Sequence, residues 1–205
     1  MIFYYAPKTI SLASHIALQE AELNYEARRL DFSATEQQSS AYLGINPKGR
    51  VPALDTGQGI LTETPAILAY IAQIASDSEL APVNDPYAFA KVQEFNLYLC
   101  ATVHVAHAHR VRAYRWADDA LAIEAMQERV PGNMRDCFRL IEDKFFKGPW
   151  VMGETYTICD PYLFTISNWL EGDGVQIREF PKIAEHFQAM QKRPQVREIL
   201  LIHGL

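Results

Sequence analysis

Two short segments hold the residues with the clearest chemistry. Asn46-Pro47-Lys48-Gly49-Arg50-Val51-Pro52-Ala53-Leu54 sets a proline directly after Val51, and Glu63-Thr64-Pro65-Ala66-Ile67 follows it closely. Pro52 has no N–H to give to a sheet ladder, and X-Pro is the only common setting for a cis peptide bond. A cis bond between Val51 and Pro52 would turn the Val51 backbone outward, free to pair in strand fashion with a short peptide ligand. Thr64 reads as a helix N-cap and Pro65 as the first helical residue. The free N–H groups and the positive dipole end of that helix favour a carboxylate. Glu63, beside it, can accept from an ammonium. Together these groups suit the zwitterionic head of an amino acid.

A second cluster is the run His104-Val105-Ala106-His107-Ala108-His109-Arg110-Val111-Arg112-Ala113-Tyr114-Arg115-Trp116, which is basic within an acidic chain. On a helix, His104, His107, Val111, Arg112 and Arg115 fall near one face. That face reads either as the wall of a small-molecule site favouring an anionic or aromatic compound, with Tyr114 and Trp116 as stacking surfaces, or as a solvated surface. His104 and His107, three apart, have no obvious carboxylate partner for a metal site. Cys100, Cys137 and Cys159 form no CxxC and no metal-ligand spacing, and read as small buried hydrophobes. No metal is expected.

The framework carrying these groups can be read from the sequence pattern. Ile2 to Tyr5 is a β-prone run ended by Ala6-Pro7. Ser11 to about Ala21 reads as a helix, with Leu12 and Ile16 on one face. Tyr25 to Leu30 is a second strand, and Thr35 could cap a helix running to about Leu43. Val51 to Leu54 is a third strand, Asp55 to Gly59 a turn, and Ile60 to Thr62 the returning strand. A helix from Pro65 to about Ala75 completes a βαβαββα order, which suits a mixed sheet covered by helices. The polar, proline-containing stretch from Ser76 to Pro86 is the best domain boundary. Beyond it, helical periodicity runs from Tyr87 to about Trp116, Asp119 to Phe146, Cys159 to Leu170, Pro181 to Gln191 and Pro194 to Leu201. Thr157-Ile158-Cys159-Asp160 is a capping-box variant with Asp in place of Glu, a folding signal for the helix it opens.

A chain of 205 residues, 49% of them hydrophobic, can build one large core or two small ones. A formal charge of −6 argues against general binding to nucleic-acid backbones. No basic, apolar leader opens the sequence and no run is long enough to span a membrane, so a cytoplasmic protein is expected.

At the segments around residues 46–54 and 63–67 the chain resembles the cytosolic glutathione transferases. Ile2-Phe3-Tyr4-Tyr5-Ala6-Pro7 and Ser11-Leu12-Ala13-Ser14-His15-Ile16-Ala17-Leu18 look like the opening of the bacterial beta class, and Gly153 to Phe164 resembles that family's C-terminal capping segment. The resemblance implies a thioredoxin-like, glutathione-binding domain over residues 1–77, followed by an all-α domain over residues 86–205 that contributes the electrophile site. It implies glutathione as co-substrate, with Arg50, Val51, Pro52, Glu63, Thr64 and Lys48 as its holders. Arg50 or Lys48 would take the glycine carboxylate, Arg50 through a bidentate fork. It also implies a homodimer and a small electrophile as second substrate.

Beta-class relatives place a cysteine where this chain has Ile10, and isoleucine can neither donate a hydrogen bond nor form a mixed disulfide. Ser11 is therefore the first candidate donor to the thiolate, with Thr9 and Tyr5 behind it; capping of the first helix by Ser11 is compatible with that role. His104 matches a beta-class histidine near the thiol. Leu97, Thr102, Val105 and Thr35 depart from the polar or charged residues that relatives carry. The leading expectation is an enzyme that joins glutathione to, or exchanges it with, an electrophile. The alternative is a non-catalytic glutathione-binding or regulatory protein. Thiol–disulfide exchange is disfavoured because no cysteine lies near the expected site.

Overall fold

The computed structural model describes residues 1–75 and 79–205. The start of the predicted interdomain link, Ser76-Asp77-Ser78, and with it the boundary at residue 77, lies outside the described residues. The first half has strands β1 (Ile2–Tyr5), β2 (Glu26–Arg29), β3 (Ala53–Asp55) and β4 (Ile60–Thr62), with helices α1 (Ser11–Glu20), α2 (Ser40–Leu43) and α3 (Thr64–Ile74). The sheet order is β2-β1-β3-β4. β1 runs parallel to β2 and antiparallel to β3, and β3 pairs antiparallel with β4. This is the mixed, helix-covered sheet that the βαβαββα pattern predicts. β1 supplies Phe3 to the side that packs on α1 and α3, while Tyr4 joins Tyr42, Leu30, Val51 and Ala53 on the opposite side.

Three local expectations are corrected. Val51 and Pro52 precede the ladder rather than opening it: β3 starts at Ala53, after the proline that has no donor to give. Thr35 caps nothing. It sits at φ 53° without a side-chain cap bond, because Asp31 and Glu36 close residues 31–36 into a turn, and Ser39 caps the short α2 by accepting from the Tyr42 N–H at 3.2 Å. Thr64 is the first helical residue of α3 rather than its cap; the capping position belongs to Glu63, held at φ 71°.

The second half is helical: α4 (Pro86–Tyr98), α5 (His104–Arg112), α6 (Ala120–Leu140), α7 (Cys159–Ser167), α8 (Pro181–Lys192) and α9 (Pro194–His203). The run expected as one helix from Tyr87 to Trp116 is interrupted by a π-helical turn over Leu99–Val103 and ends in a 3₁₀ turn over Ala113–Arg115. A π turn adds a residue to the winding and re-aims the face beyond it, here the basic face of α5. The capping variant before α7 forms: the Thr157 N–H donates to Asp160 at 2.6 Å and the Cys159 N–H donates to Thr157 Oγ1 at 3.3 Å. Asp160 is fully buried and also accepts from the Val151 N–H at 2.9 Å and from His186 Nε2 at 3.0 Å.

The two halves share their core. Leu12 and Ile16 of α1 pack with Phe164 of α7, Met190 of α8 and Val196 and Ile199 of α9. Polar ties reinforce the seam: Arg193 grips Glu20 through two bonds of 2.6 and 2.7 Å and lies over the Tyr156 ring, and His15 meets His203 at 2.9 Å.

Candidate functional site

A cavity of about 710 Å³ lies between the two halves. One side is built by Lys8, Thr9 and Ile10 before α1, by Arg50, Val51 and Pro52 before β3, and by Glu63 and Thr64 at the start of α3. The facing side comes from the π turn, α5 and its following turn, and α7: Cys100, His104, His107, Arg112, Arg115, Trp116 and Tyr162, with Trp169 just beyond α7.

The loop before β3 is fixed from beneath. Asn46, almost fully buried, donates from Nδ2 to the Arg50 carbonyl at 2.6 Å and accepts from the Lys48 N–H at 3.2 Å; Tyr42 donates to the same Arg50 carbonyl at 2.7 Å. Gly49 takes φ 59°, a left-handed position that favours glycine, and a Cβ there would also crowd the Gln37 carbonyl at 3.1 Å. The Val51–Pro52 bond is cis. The Val51 N–H and carbonyl have no backbone partner among the described residues, so one extended segment of ligand can pair with them.

At α3, the Thr64 and Ala66 N–H groups make no hydrogen bond among the described residues, and Pro65 has none to satisfy. They form a ready anion site at the positive end of the helix. Glu63 points its carboxylate to Lys48 Nζ, 2.6 Å away, and the same Nζ donates to Thr62 Oγ1 at 2.6 Å. Lys48 is therefore not part of the cavity wall. It stands in a surface ion pair with Glu63, and Lys8, which the motif reading passed over, takes a place in the lining.

The turn before α1 reverses the ranking of the hydroxyl candidates. Ser11 is fully buried, does not line the cavity, and is spent on its own turn: its Oγ donates to the Ala6 carbonyl at 3.1 Å and accepts from the Ala6 N–H at 3.3 Å. Tyr5 is sheet core, stacked with Phe3 and against His15 and His203. Thr9, half-buried, lines the cavity with its Oγ1 2.7 Å from Ser11 Oγ and 2.8 Å from the Ala6 carbonyl. Ser11 thus holds Thr9 from behind. Ile10 also lines the cavity, and its backbone N–H has no partner among the described residues.

On the facing wall, burial first, and then His107, Arg112, Arg50 and Arg115, push His104 down to about 3. It is neutral at physiological pH and can offer one N–H. His107 stacks on Trp169 at 4.1 Å and binds the fully buried Asp173 through Nδ1 at 2.8 and 3.0 Å, while Arg110 Nε stands 3.1 Å from the same carboxylate. Asp173 fixes the proton on Nδ1, and Nε2 has no hydrogen-bond partner among the described residues. Cys100 lies in the wall, against the expectation that no cysteine would be near; burial raises its thiol pKa, so it stays protonated and unreactive. Among the described residues no three His, Cys, Asp or Glu side chains gather to hold a metal.

A family model described as the N-terminal domain of glutathione S-transferase matches residues 1–73. A glutathione transferase homologue from Sulfitobacter, solved with bound glutathione, is 44% identical and superposes with a TM-score of 0.95 over 100% of this chain and 98% of that one. The chain belongs to the cytosolic glutathione transferase family. The glutathione S-transferase GstA of Escherichia coli O157:H7 is 29% identical over the full length of both chains. A beta-class glutathione S-transferase from Sphingomonas chungbukensis is 26% identical, with a TM-score of 0.86 over all of both chains. The family's two-part fold is thus the one seen here, with a thioredoxin-like sheet and a helical half.

Of the residues singled out in the sequence, Arg50, Val51, Pro52, Glu63, Thr64 and His104 converge on the cavity, while Ser11 and Lys48 support it from outside. Lys8, Asn46, Tyr162, Trp169 and Asp173 were missed. Asn46 stood inside the motif and its turn-forming side chain was a usable signal. The others reach the site through contacts between distant segments and left no local pattern.

Proposed function

We propose that this protein is a catalytically active glutathione transferase that uses a hydrogen-bonded thiolate rather than a cysteine. The observation that carries the proposal is the single cavity that combines an unpaired Val51 backbone, the open N–H groups of α3 and a donor-bearing turn at Thr9–Ile10. The γ-glutamyl carboxylate would take the N–H groups of Thr64 and Ala66, and its ammonium would take Glu63 in exchange for Lys48. The cysteinyl unit would pair with Val51, and Arg50 with Lys8 would hold the glycine carboxylate.

That pose directs the sulfur toward Thr9 Oγ1 and the Ile10 N–H. A free thiol has a pKa of about 8.5, and donors aimed at the sulfur stabilise the anion and enlarge its fraction at neutral pH. The His104 N–H adds a neutral donor from the opposite wall. The rate gain comes from that thiolate fraction together with orientation of an electrophile against α5. Exposed apolar side chains on α3 and α4, Ile74, Tyr87 and Leu97, fit a homodimer of about twice 23.3 kDa, which light scattering would measure.

The test is calorimetry with glutathione followed by turnover across a panel of electrophiles. Binding with turnover supports the proposal. Binding without turnover favours the second reading, a non-catalytic glutathione-binding protein, for which the side chain at Ile10 is the specific argument. No binding removes both.

A further inference from the structure

The cavity carries more positive charge than glutathione can use. Lys8, Arg50, Arg112 and Arg115 line it against one carboxylate, Glu63, in a chain whose net charge is −6. Glu63 is already paired with Lys48, and none of the four lining cations has an ion-pair partner among the described residues. By contrast, Arg110, two positions from the lining residues Ala108 and Arg112, is matched to Asp173. The four cations thus share one space with a single carboxylate that is already engaged.

Its distribution is uneven. Lys8 and Arg50 sit on the sheet side, beside the Val51 backbone, within reach of one terminal carboxylate of the tripeptide. The α3 N-terminus takes the other carboxylate. Arg112 and Arg115 stand on the helical side, at the end of α5 and in the turn after it, where no part of the tripeptide is required. Burial and then Arg115, with Arg50 and Arg110 further down, lower the pKa of Arg112, the mark of a partly desolvated cation among its own kind. Such a cluster is unfavourable while empty and is relieved by an anion. Around it stand flat rings: Trp116, held by His109 at 4.3 Å, and the exposed Tyr114, which both line the cavity.

We infer that the second substrate is an aromatic carboxylate electrophile, its carboxylate held by Arg112 and Arg115 and its ring laid against Tyr114 and Trp116. The inference rests on the glutathione reading above and names the substrate class of that same site. In the reaction the thiolate sulfur uses a lone pair to form a C–S bond at the ring carbon bearing a halogen. A nitro group takes up the charge of the adduct, the carbon–halogen bond breaks, and halide leaves with the bonding pair.

The probes are 4-chloro-3-nitrobenzoate and its neutral counterpart 4-chloro-3-nitrobenzamide, with kcat/KM for each divided by the uncatalysed rate with glutathione. The corrected ratio should favour the carboxylate about ten-fold or more, as charge-assisted bonds to an arginine fork do. The preference should shrink about ten-fold in Arg112→Gln and in Arg115→Gln, and should fall with added salt. A corrected ratio at or below one, or one that neither substitution moves, overturns the inference.

The chemically prepared glutathione conjugates of the two probes give a second measurement that needs no turnover. The carboxylate conjugate should bind the intact protein more tightly than the carboxamide conjugate, and the difference should collapse in both variants. Equal binding of the two conjugates overturns this inference alone. Failure of both conjugates and of glutathione to bind overturns the glutathione reading with it.

Discussion

At Thr9 and Ser11 two hydroxyls share the Ala6 carbonyl, 2.8 and 3.1 Å away, and only Thr9 lines the cavity. That carbonyl accepts from both hydroxyls, so under the proposed function the Thr9 O–H would turn from it to the sulfur while Ser11, 2.7 Å away, positions Thr9. Thr9→Val should lower kcat about 10- to 100-fold, the worth of one hydrogen bond to a charged group. The pH–rate profile should move to higher pH, because the thiolate loses a donor, while the glutathione Kd changes little. Thr9→Ser should restore most of the rate. An unshifted profile in Thr9→Val would pass the role to the Ile10 N–H.

The same region shows the limit of reading chemistry from a motif. The cis bond at Val51–Pro52 and a helix beginning near Thr64 were legible because they depend on local backbone, although the cap itself fell one residue earlier, at Glu63. Whether Ser11 or Thr9 faces the ligand depends on one turn's rotation, which the hydroxyl pattern Thr-Ile-Ser does not encode. The ion pair of Lys48 with Glu63, fifteen residues on, was not encoded in its motif either.

Among the elements, the loop from Asn46 to Pro52 and the segment entering α7 have the least freedom to change. Gly49→Ala forces a side chain onto a left-handed position against the Gln37 carbonyl, at about 1 kcal/mol or more of strain, while the Gln38 amide can swing aside. Glutathione affinity should fall several-fold, measured by calorimetry, with secondary structure by circular dichroism unchanged. Asp160 is fully buried with donors from Val151, Thr157 and His186. Asp160→Ala leaves those donors unpaired and should cost about 3 kcal/mol or more, read as a lower urea midpoint.

The capping variant around Asp160 was visible in the sequence, since Thr and Asp at that spacing before an apolar run have few other uses. Its link to His186 was not, because α8 arrives from far along the chain. The strand order and the first and third helices were legible from periodicity. The break at Leu99–Val103 was not, because a π turn leaves the apolar pattern nearly intact while rotating the helix beyond it.

For the molecule as a whole, acid should be the weak direction. His15 and His203 are each 1% exposed, and burial, joined at His15 by the charge His203 would carry, pushes them from 6.5 down to about 3 and about 4. The folded chain excludes protons that the unfolded chain binds. Their contribution to stability is therefore complete above about pH 6.5 and is lost as pH falls toward the folded values. Denaturant midpoints should drop between about pH 6.5 and pH 4, with a slope on the order of 1–2 kcal/mol per pH unit. His203→Gln should flatten it. A midpoint independent of pH over that interval would contradict the buried, neutral pair.

That histidine pair lies on a boundary with a further meaning. Leu12 and Ile16 on one side, and Phe164, Met190, Val196 and Ile199 on the other, are all at most 1% exposed because each covers the other. Neither half is an interchangeable cassette. A fragment stopped after α3 would bare that greasy strip to water, and a chimera borrowing its sheet from a cousin would have to import the matching ridge of α9 as well.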